Sequence, residues 1–173
     1  MAAAGGLRCG DARDADTDVG PLIEPEEVKR VHAWVGEARE AGTEVLLGGE
    51  PLTETVFGTT VLRGAPEDAR VIREEIFGPA VVVQPVDSLE EAIEKVNRSR
   101  NPFQSSIFTR DVDRAFRAAR EVAASAYMIN DFTAFRVDWM PFGGRKNAGL
   151  GLGGVDHGVK DMTAEKLIVV NAR

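Results

Sequence analysis

The sequence has 173 residues, a formal net charge of −7 and 43% apolar residues. This composition is too apolar for an intrinsically disordered chain, and no apolar run approaches the roughly 18 residues that a membrane-spanning helix requires. An acidic chain also lacks the Lys/Arg patch that contact with nucleic acid or with an anionic membrane needs. We therefore expect a folded protein whose partners are neither nucleic acid nor membrane.

The cysteine and histidine content predicts a cytoplasmic protein without a metal site. Residues 1–6 are small but have neither the basic start nor the apolar core of a secretory signal. The single cysteine, Cys9, cannot form an internal disulfide, which agrees with a reducing compartment. It lies in an acidic segment with no helix start beside it, so we do not expect it to be a nucleophile. His32 and His157 are isolated, and no zinc site is predicted.

Three segments have the spacing of amphipathic helices. The first begins at Pro25 and stops at Gly42, with apolar residues every three or four positions. The second follows Asp87-Ser88, and either residue pairs with a glutamate three positions later as a capping box. The third is capped by Asp111. The predicted apolar faces are Val28, Val31, Val35 and Ala38; Leu89, Ala92, Ile93 and Val96; and Ala115, Phe116, Ala119 and Val122.

Short apolar runs between these helices predict strands. The clearest is Ala80–Val83, a valine run after Gly78-Pro79 of the kind that is buried on both faces of a parallel sheet. The alternation of helix and strand favours an α/β layer fold with parallel strands. The other predicted strands cover residues 44–47, 59–62, 105–108, 127–129 and 167–170.

The segment Glu74–Pro79 is the first candidate for function. Two acids, an aromatic residue and a Gly-Pro turn directly precede a predicted strand. Ligands of open α/β sheets bind near strand termini, and a carboxylate there can accept hydrogen bonds from two neighbouring hydroxyls such as a ribose diol. The alternative is a solvated loop acid beside a core phenylalanine, which is the commoner fate of such residues.

The second candidate segment is Arg136–Lys146, where aromatic residues stand beside glycines and an arginine. Such aromatics form apolar pocket walls, and a nearby arginine binds an anion through two hydrogen bonds. The alternative is a glycine loop held down by Trp139 and Phe142. The glycine run 149–154 is not a dinucleotide fingerprint, because it does not follow a strand in a βαβ unit. An isolated nucleotide-binding module is therefore the weakest hypothesis.

Together these segments resemble the aldehyde dehydrogenase superfamily, with four motifs in the family's order and spacing. The resemblance implies an α/β fold, a three-layer parallel-sheet catalytic domain that is incomplete at its N-terminal side. It divides the chain into an irregular segment over 1–23, a partial catalytic domain over 24–162 and a terminal strand of the oligomerisation type over 163–173. The matching motifs are Gly10-Asp11 through Gly20-Pro21-Leu22-Ile23, Glu74 to Pro79, Pro141-Phe142-Gly143-Gly144 with Lys146, and Met162-Thr163 with Lys166.

The resemblance also implies roles for four residues. Glu75 would hold the hydroxyls of the nicotinamide ribose, and Phe77 would pack near the nicotinamide of NAD or NADP. Phe142 would line the aldehyde pocket. Arg136 matches a loop where family members select substrates. An arginine there is found in branches that handle small oxygenated or anionic aldehydes, so an anionic aldehyde is a hypothesis for the substrate.

In the family, a cysteine thiolate attacks the aldehyde to form a thiohemiacetal, hydride passes to NAD(P)⁺, and a glutamate-activated water releases the acid. By family order the nucleophile, the general base and the Rossmann domain all precede Leu7. We therefore predict the C-terminal portion of an NAD(P)-dependent aldehyde dehydrogenase, with no catalytic residue of its own and no activity alone. The alternative is a non-catalytic interaction module that forms a homo-oligomer, or joins full-length subunits, through the strand Leu167–Val170.

Overall fold

The structure is a computed structural model that describes residues 2–172. The chain forms two compact units, Met1–Asp87 and Ser88–Arg173. Each unit packs helices against a small sheet of its own. The elements of the first unit are α1 (Ala2–Gly5), α2 (Pro25–Glu40), β1 (Glu44–Leu47), β2 (Thr60–Arg63), α3 (Arg70–Arg73) and β3 (Ala80–Val83).

The core of the first unit lies between α2 and a three-stranded sheet. The strand order is β1-β2-β3, with β1 antiparallel and β3 parallel to β2. The predicted apolar face of α2 is buried in full, and it packs in one cluster with Phe57 and Leu62. Full burial of side chains of this size stabilises the fold by about 1.5–3 kcal/mol each.

The prediction that Ala80–Val83 is buried on both faces is wrong. Val82 packs against the core cluster, whereas the side chains of Val81 and Val83 are 52% and 47% exposed. One face of β3 packs against this cluster, whereas no side chains of the described residues cover the other face, which carries Val81 and Val83.

Hydrogen bonds of the backbone hold the N-terminal segment, which the sequence predicts to be irregular over 1–23. Within residues 2–23, the regular structure consists of the short helix α1 and a parallel bridge between Cys9 and Val19. The Gly10 amide donates to the Val19 carbonyl at 3.0 Å, and the Asp18 and Val19 amides both donate to the Arg8 carbonyl. Backbone hydrogen bonds across a ten-residue loop therefore hold this acidic stretch in place.

The second unit packs two helices on a two-stranded parallel sheet. Its elements are α4 (Leu89–Asn97), β4 (Gln104–Ile107), α5 (Val112–Glu121), β5 (Ala126–Ile129), a 3₁₀ turn (Lys146–Ala148) and α6 (Val155–Asp161). Both predicted helix caps of this unit form: the Ser88 hydroxyl accepts from the Glu91 amide at 3.1 Å, and the Asp111 carboxylate accepts from the Arg114 amide at 3.0 Å.

The predicted apolar face of α5 is displaced around the helix. Ala115, Ala118 and Val122 are the buried residues, whereas Phe116 is 55% exposed. Ala118 and Val122 pack with Ile93 of α4, so the buried stripe runs through positions three and four residues apart that exclude Phe116. Tyr127 of β5 packs against the same cluster, and burial raises the pKa of its hydroxyl.

The predicted terminal strand Leu167–Val170 adopts no regular secondary structure, and its four apolar side chains are 73–87% exposed. A strand requires a hydrogen-bonded neighbour, and within residues 163–172 the backbone has none from a sheet. Its pairing with another chain stays a prediction. Among the helices of residues 2–172, none has both the length and the apolar character needed to cross a bilayer.

Candidate functional site

The first candidate segment forms the connection between α3 and β3. Helix α3 ends where the Glu74 amide donates to the Arg70 carbonyl at 2.9 Å. On the other side, the Thr60 amide of β2 donates to the Pro79 carbonyl and the Ala80 amide donates to the Gly78 carbonyl, both at 2.8 Å. The segment is therefore a short loop anchored at both ends, before the first residue of a parallel strand.

Within this loop the side chains alternate between core and solvent. Ile76 packs against the core cluster of the first unit, and its two neighbours Glu75 and Phe77 are exposed. The Phe77 side chain is 73% exposed, and its backbone adopts the left-handed region with φ 47°. Phe77 is therefore not the core phenylalanine of the alternative interpretation, and the loop exposes both a carboxylate and an aromatic ring to solvent.

An arginine that the sequence analysis did not single out holds this loop. The Arg30 guanidinium, on α2, donates to the Ile76 carbonyl at 2.6 Å and to the Glu27 carboxylate at 2.8 and 2.5 Å. It also lies 4.6 Å from the centre of the Trp34 ring. A second guanidinium, that of Arg70, lies 5.1 Å from the same ring. Glutamate three residues before arginine on a helix is a visible sequence signal, but it indicates only a surface ion pair.

The electrostatics beside the loop come from ion pairs on the helices. Arg70 donates two hydrogen bonds to the Glu37 carboxylate, and this bidentate contact lowers the pKa of Glu37 and raises that of Arg70. No described residue donates a hydrogen bond to the Glu75 carboxylate or forms an ion pair with it. The Glu75 oxygens are thus open to an added partner.

In the second unit, the glycine loop, residues 136–154, is hydrogen-bonded to the segment that follows α4. The Arg145 amide donates to the Pro102 carbonyl at 3.0 Å, and the Asn147 amide donates to the Arg100 carbonyl at 3.1 Å. Between them, the Lys146 ammonium donates to two backbone carbonyls at the end of α4, those of Asn97 and Ser99, at 2.8 and 2.9 Å. Cations near a helix C-terminus are favourable because they satisfy carbonyls that lack partners in the helix.

Phe142 makes three contacts: a backbone bridge, a contact between two aromatic rings and a cation–π contact. Its backbone forms a two-way bridge with Gly153, with hydrogen bonds of 3.0 and 2.6 Å. Its ring meets the Phe103 ring edge-on, with centroids 5.0 Å apart. The Arg136 guanidinium lies 3.9 Å from the centre of the Phe142 ring, which is the geometry of a cation–π contact. Phe103 is a further residue that the sequence analysis missed, because its contact with Phe142 spans the whole of α5 and β5.

Two glycines permit this close folding of the loop. A Cβ built on Gly143 would lie 2.6 Å from the Gly151 carbonyl oxygen. A Cβ built on Gly144 would lie 2.3 Å from the carbonyl carbon and oxygen of Ala148. Both distances are below any real carbon contact, so the backbones can meet here only where no side chain is present.

The four predicted site residues fall into two pairs. Glu75 and Phe77 share the loop of the first unit, and Phe142 and Arg136 are in contact within the second unit. Trp139, the other aromatic residue considered as an anchor of the glycine loop, is 77% exposed and does not hold it down. Within residues 2–172, no group of three or more His, Cys, Asp or Glu side chains is arranged to hold a metal ion.

Comparison with known proteins gives one consistent result. The model of the aldehyde dehydrogenase family matches residues 1–168. A 3-sulfolactaldehyde dehydrogenase of Priestia aryabhattai is 41% identical over 165 residues, which make up 95% of this chain and 34% of that protein. The solved structure of aldehyde dehydrogenase 21 of Physcomitrella patens, in complex with the reaction product succinate, matches with a TM-score of 0.89 and 35% identity over 93% of this chain and 33% of that one.

A second solved structure gives the same picture. A glyceraldehyde-3-phosphate dehydrogenase of Methanocaldococcus jannaschii, complexed with NADP, matches with a TM-score of 0.88 and 34% identity over 93% of this chain and 35% of that one. The chain thus spans about a third of the length of the curated relatives it matches. These matches confirm the predicted α/β fold of a partial catalytic domain.

Proposed function

The chain belongs to the aldehyde dehydrogenase family, and we propose that it forms the C-terminal portion of an NAD(P)-dependent enzyme that oxidises an aldehyde to a carboxylic acid. The observation that carries this proposal is the loop Glu74–Pro79, which presents Glu75 and Phe77 to solvent on either side of the anchored Ile76. The nucleophilic cysteine, the general base and the dinucleotide domain would come from sequence outside these 173 residues.

The residues of the loop fit the nicotinamide-ribose half of the cofactor. Two of the matched structures were solved in complex with NADP and with NAD⁺. The Glu75 carboxylate has no described hydrogen-bond donor and can accept from both hydroxyls of a ribose, and the exposed Phe77 ring offers a flat apolar surface. When bound, the dinucleotide supplies the hydride acceptor. These residues hold and orient its ribose, and the choice between NAD and NADP would be made outside this chain.

The proposed substrate is an aldehyde that carries an anionic group. Arg136 lies over the Phe142 ring at 3.9 Å, and none of the described residues forms an ion pair with its guanidinium. A guanidinium that is oriented by an aromatic face keeps its N–H groups at its edge, where they can bind a carboxylate, sulfonate or phosphate in pairs. Three of the matched relatives have names or titles that refer to 3-sulfolactaldehyde, succinate and glyceraldehyde-3-phosphate, which all carry such groups. Other relatives are named for lactaldehyde, which is neutral, and for betaine aldehyde, which is cationic.

The cofactor role is tested by Glu75→Gln in the enzyme expressed from the reading frame extended upstream of Met1. Because hydrogen bonds to a charged acceptor are the strong ones, we expect the KM for the cofactor to rise by about tenfold. The KM for the aldehyde should change little. Glu40→Gln, at the exposed end of α2, is the matched control. An unchanged cofactor KM in an active Glu75→Gln enzyme would exclude the proposed role.

The substrate class is tested by Arg136→Ala in the same enzyme. We expect the KM for an anionic aldehyde to rise by about tenfold or more, and the KM for a neutral aldehyde of similar size to stay within about twofold. Arg136→Ala also removes the contact with the Phe142 ring, and a change in that ring would affect the KM of both aldehydes. The neutral aldehyde is therefore the control. Equal effects on both aldehydes would refute an anion-binding role for Arg136.

The second candidate function is a non-catalytic interaction module. The exposed apolar run Leu167–Val170 supports it, because a segment with apolar side chains and unpaired backbone N–H and C=O groups is a template for pairing with a second chain. In this case the 173-residue chain forms a homo-oligomer or joins full-length subunits. A sedimentation measurement that finds a monomer, and finds no association with a full-length relative, would count against this candidate. For either function we propose a cytoplasmic location, which agrees with the free thiol of Cys9.

A further inference from the structure

A charged side chain from α2 holds the backbone of the proposed cofactor loop. The Arg30 guanidinium donates to the Ile76 carbonyl at 2.6 Å, a contact between residues 46 positions apart. That carbonyl belongs to the peptide group that joins Ile76 to Phe77. The hydrogen bond therefore fixes the orientation of the peptide group that lies between the two proposed cofactor contacts, Glu75 and Phe77.

This peptide group needs a partner because of the conformation that follows it. Phe77 has φ 47°, a region that side chains with a Cβ rarely adopt and that persists only when the surroundings impose it. Rotation of the Ile76–Phe77 peptide group would return Phe77 to a common conformation. Without the hydrogen bond from Arg30, the orientation of this peptide group is less constrained, and so is the loop that carries Glu75 and Phe77.

Arg30 is itself held in place before it binds the loop. Only 26% of its side chain is exposed, it forms an ion pair with Glu27 at 2.5 Å, and it lies 4.6 Å from the centre of the Trp34 ring. A planar guanidinium with this support loses little rotamer freedom on binding one more acceptor. Lys29, the neighbouring cation on α2, has a similar ion pair with Glu26 but is 70% exposed.

We propose that Arg30 is a positioning residue for cofactor binding, which sets the spacing of Glu75 and Phe77 through the Ile76 carbonyl. This inference rests on the proposed function, because Glu75 and Phe77 have a cofactor to position only if the chain is part of an NAD(P)-dependent enzyme. Arg30 does not touch the cofactor in this proposal, and it acts only through the loop.

The first arm of the test is amide hydrogen exchange on the 173-residue chain. Arg30→Met keeps an unbranched side chain on α2 and removes the guanidinium, with its contacts to Ile76, Glu27 and Trp34. We expect exchange of the Thr60 and Ala80 amides, which donate to carbonyls of the loop, to become about tenfold faster. The Leu22 and Leu52 amides, which are bonded elsewhere in the same unit, should exchange as in the wild type. Lys29→Met is the matched control and should leave all four amides unchanged.

The second arm measures steady-state kinetics of the extended enzyme, with Arg30→Met and Lys29→Met beside the wild type. We expect Arg30→Met to raise the KM for NAD(P) several-fold and to leave the KM for the aldehyde unchanged. General destabilisation would not produce this split, because it lowers the amount of active enzyme without changing either KM.

The outcomes separate the inference from the function on which it rests. An extended wild-type enzyme without activity contradicts the proposed function, and the exchange arm then still decides whether Arg30 orders the loop. Unchanged exchange at Thr60 and Ala80 overturns the inference, and so does faster exchange at all four amides. Equal cofactor KM values for Arg30→Met and an active wild type also overturn it.

Discussion

Asn97, the last residue of α4, ties three parts of the second unit together. Its side-chain amide donates to the Glu121 carbonyl at 2.8 Å and accepts from the Ala123 amide at 2.7 Å, so it satisfies backbone groups at the end of α5. Its own carbonyl accepts from the Lys146 ammonium at 2.8 Å. Asn97→Ala removes both side-chain hydrogen bonds and leaves the backbone contact to Lys146 in place.

The loss of two hydrogen bonds of this kind predicts a decrease of about 2 kcal/mol in the free energy of unfolding of the second unit, at about 1 kcal/mol each. With a slope of about 2 kcal/mol per molar urea, the midpoint should fall by about 1 M at an unchanged slope. The assay is urea denaturation followed by far-UV circular dichroism. Asn101→Ala is the matched control, since the Asn101 side chain makes no hydrogen bond among the described residues. Equal midpoints for Asn97→Ala and Asn101→Ala would refute this reasoning.

Three further predictions concern single side chains. Gly144→Ala should destabilise the second unit by about 1–3 kcal/mol in urea denaturation, because its Cβ would lie 2.3 Å from backbone atoms of Ala148. Gly36→Ala should instead stabilise the first unit by about 0.5–1 kcal/mol in the same assay, because Gly36 lies inside α2 and a Cβ there meets nothing within 4 Å. Arg70→Met should return the pKa of Glu37 towards its ordinary value of 4.5 in an NMR titration, because it removes the hydrogen bond that lowers this pKa. In the wild type, the Arg70–Glu37 pair stabilises the fold at pH values above 4.5, and this stabilisation is lost as the pH falls through the lowered pKa of Glu37 in the folded state. An unchanged pKa of Glu37 in Arg70→Met would contradict this prediction.

The parts of the fold that could be predicted from sequence are those that local chemistry determines. The caps at Ser88 and Asp111 need only an oxygen and an amide three residues apart, so both helix starts were predictable. The buried face of α2 was predictable as well, because four apolar residues recur at helical spacing along this 16-residue helix. On the short helix α5, the same periodicity was compatible with either face, and the burial of Ala118 in place of Phe116 depends on where α4 lies.

The parts that could not be predicted depend on neighbours distant in sequence. The exposure of Val81 and Val83 on β3 depends on which side chains pack on that face of the sheet, which a valine run does not encode. The hydrogen bond from Arg30 to Ile76 joins residues 46 positions apart, and nothing in either local sequence indicates it. For the candidate site, the motif resemblance indicated Glu75, Phe77 and Phe142. It could not indicate the groups that hold them, because those contacts are properties of the folded backbone.

The most direct test of the central claim compares two proteins for NAD(P)H formation from an anionic aldehyde. One is the 173-residue chain alone, and the other is the product of the reading frame extended upstream of Met1. Because the nucleophile and the dinucleotide domain are proposed to lie outside residues 1–173, we expect activity from the extended protein and none from the chain alone. NAD(P)H formation by the purified 173-residue chain, or an upstream frame that adds no cysteine nucleophile and no activity, would contradict the claim.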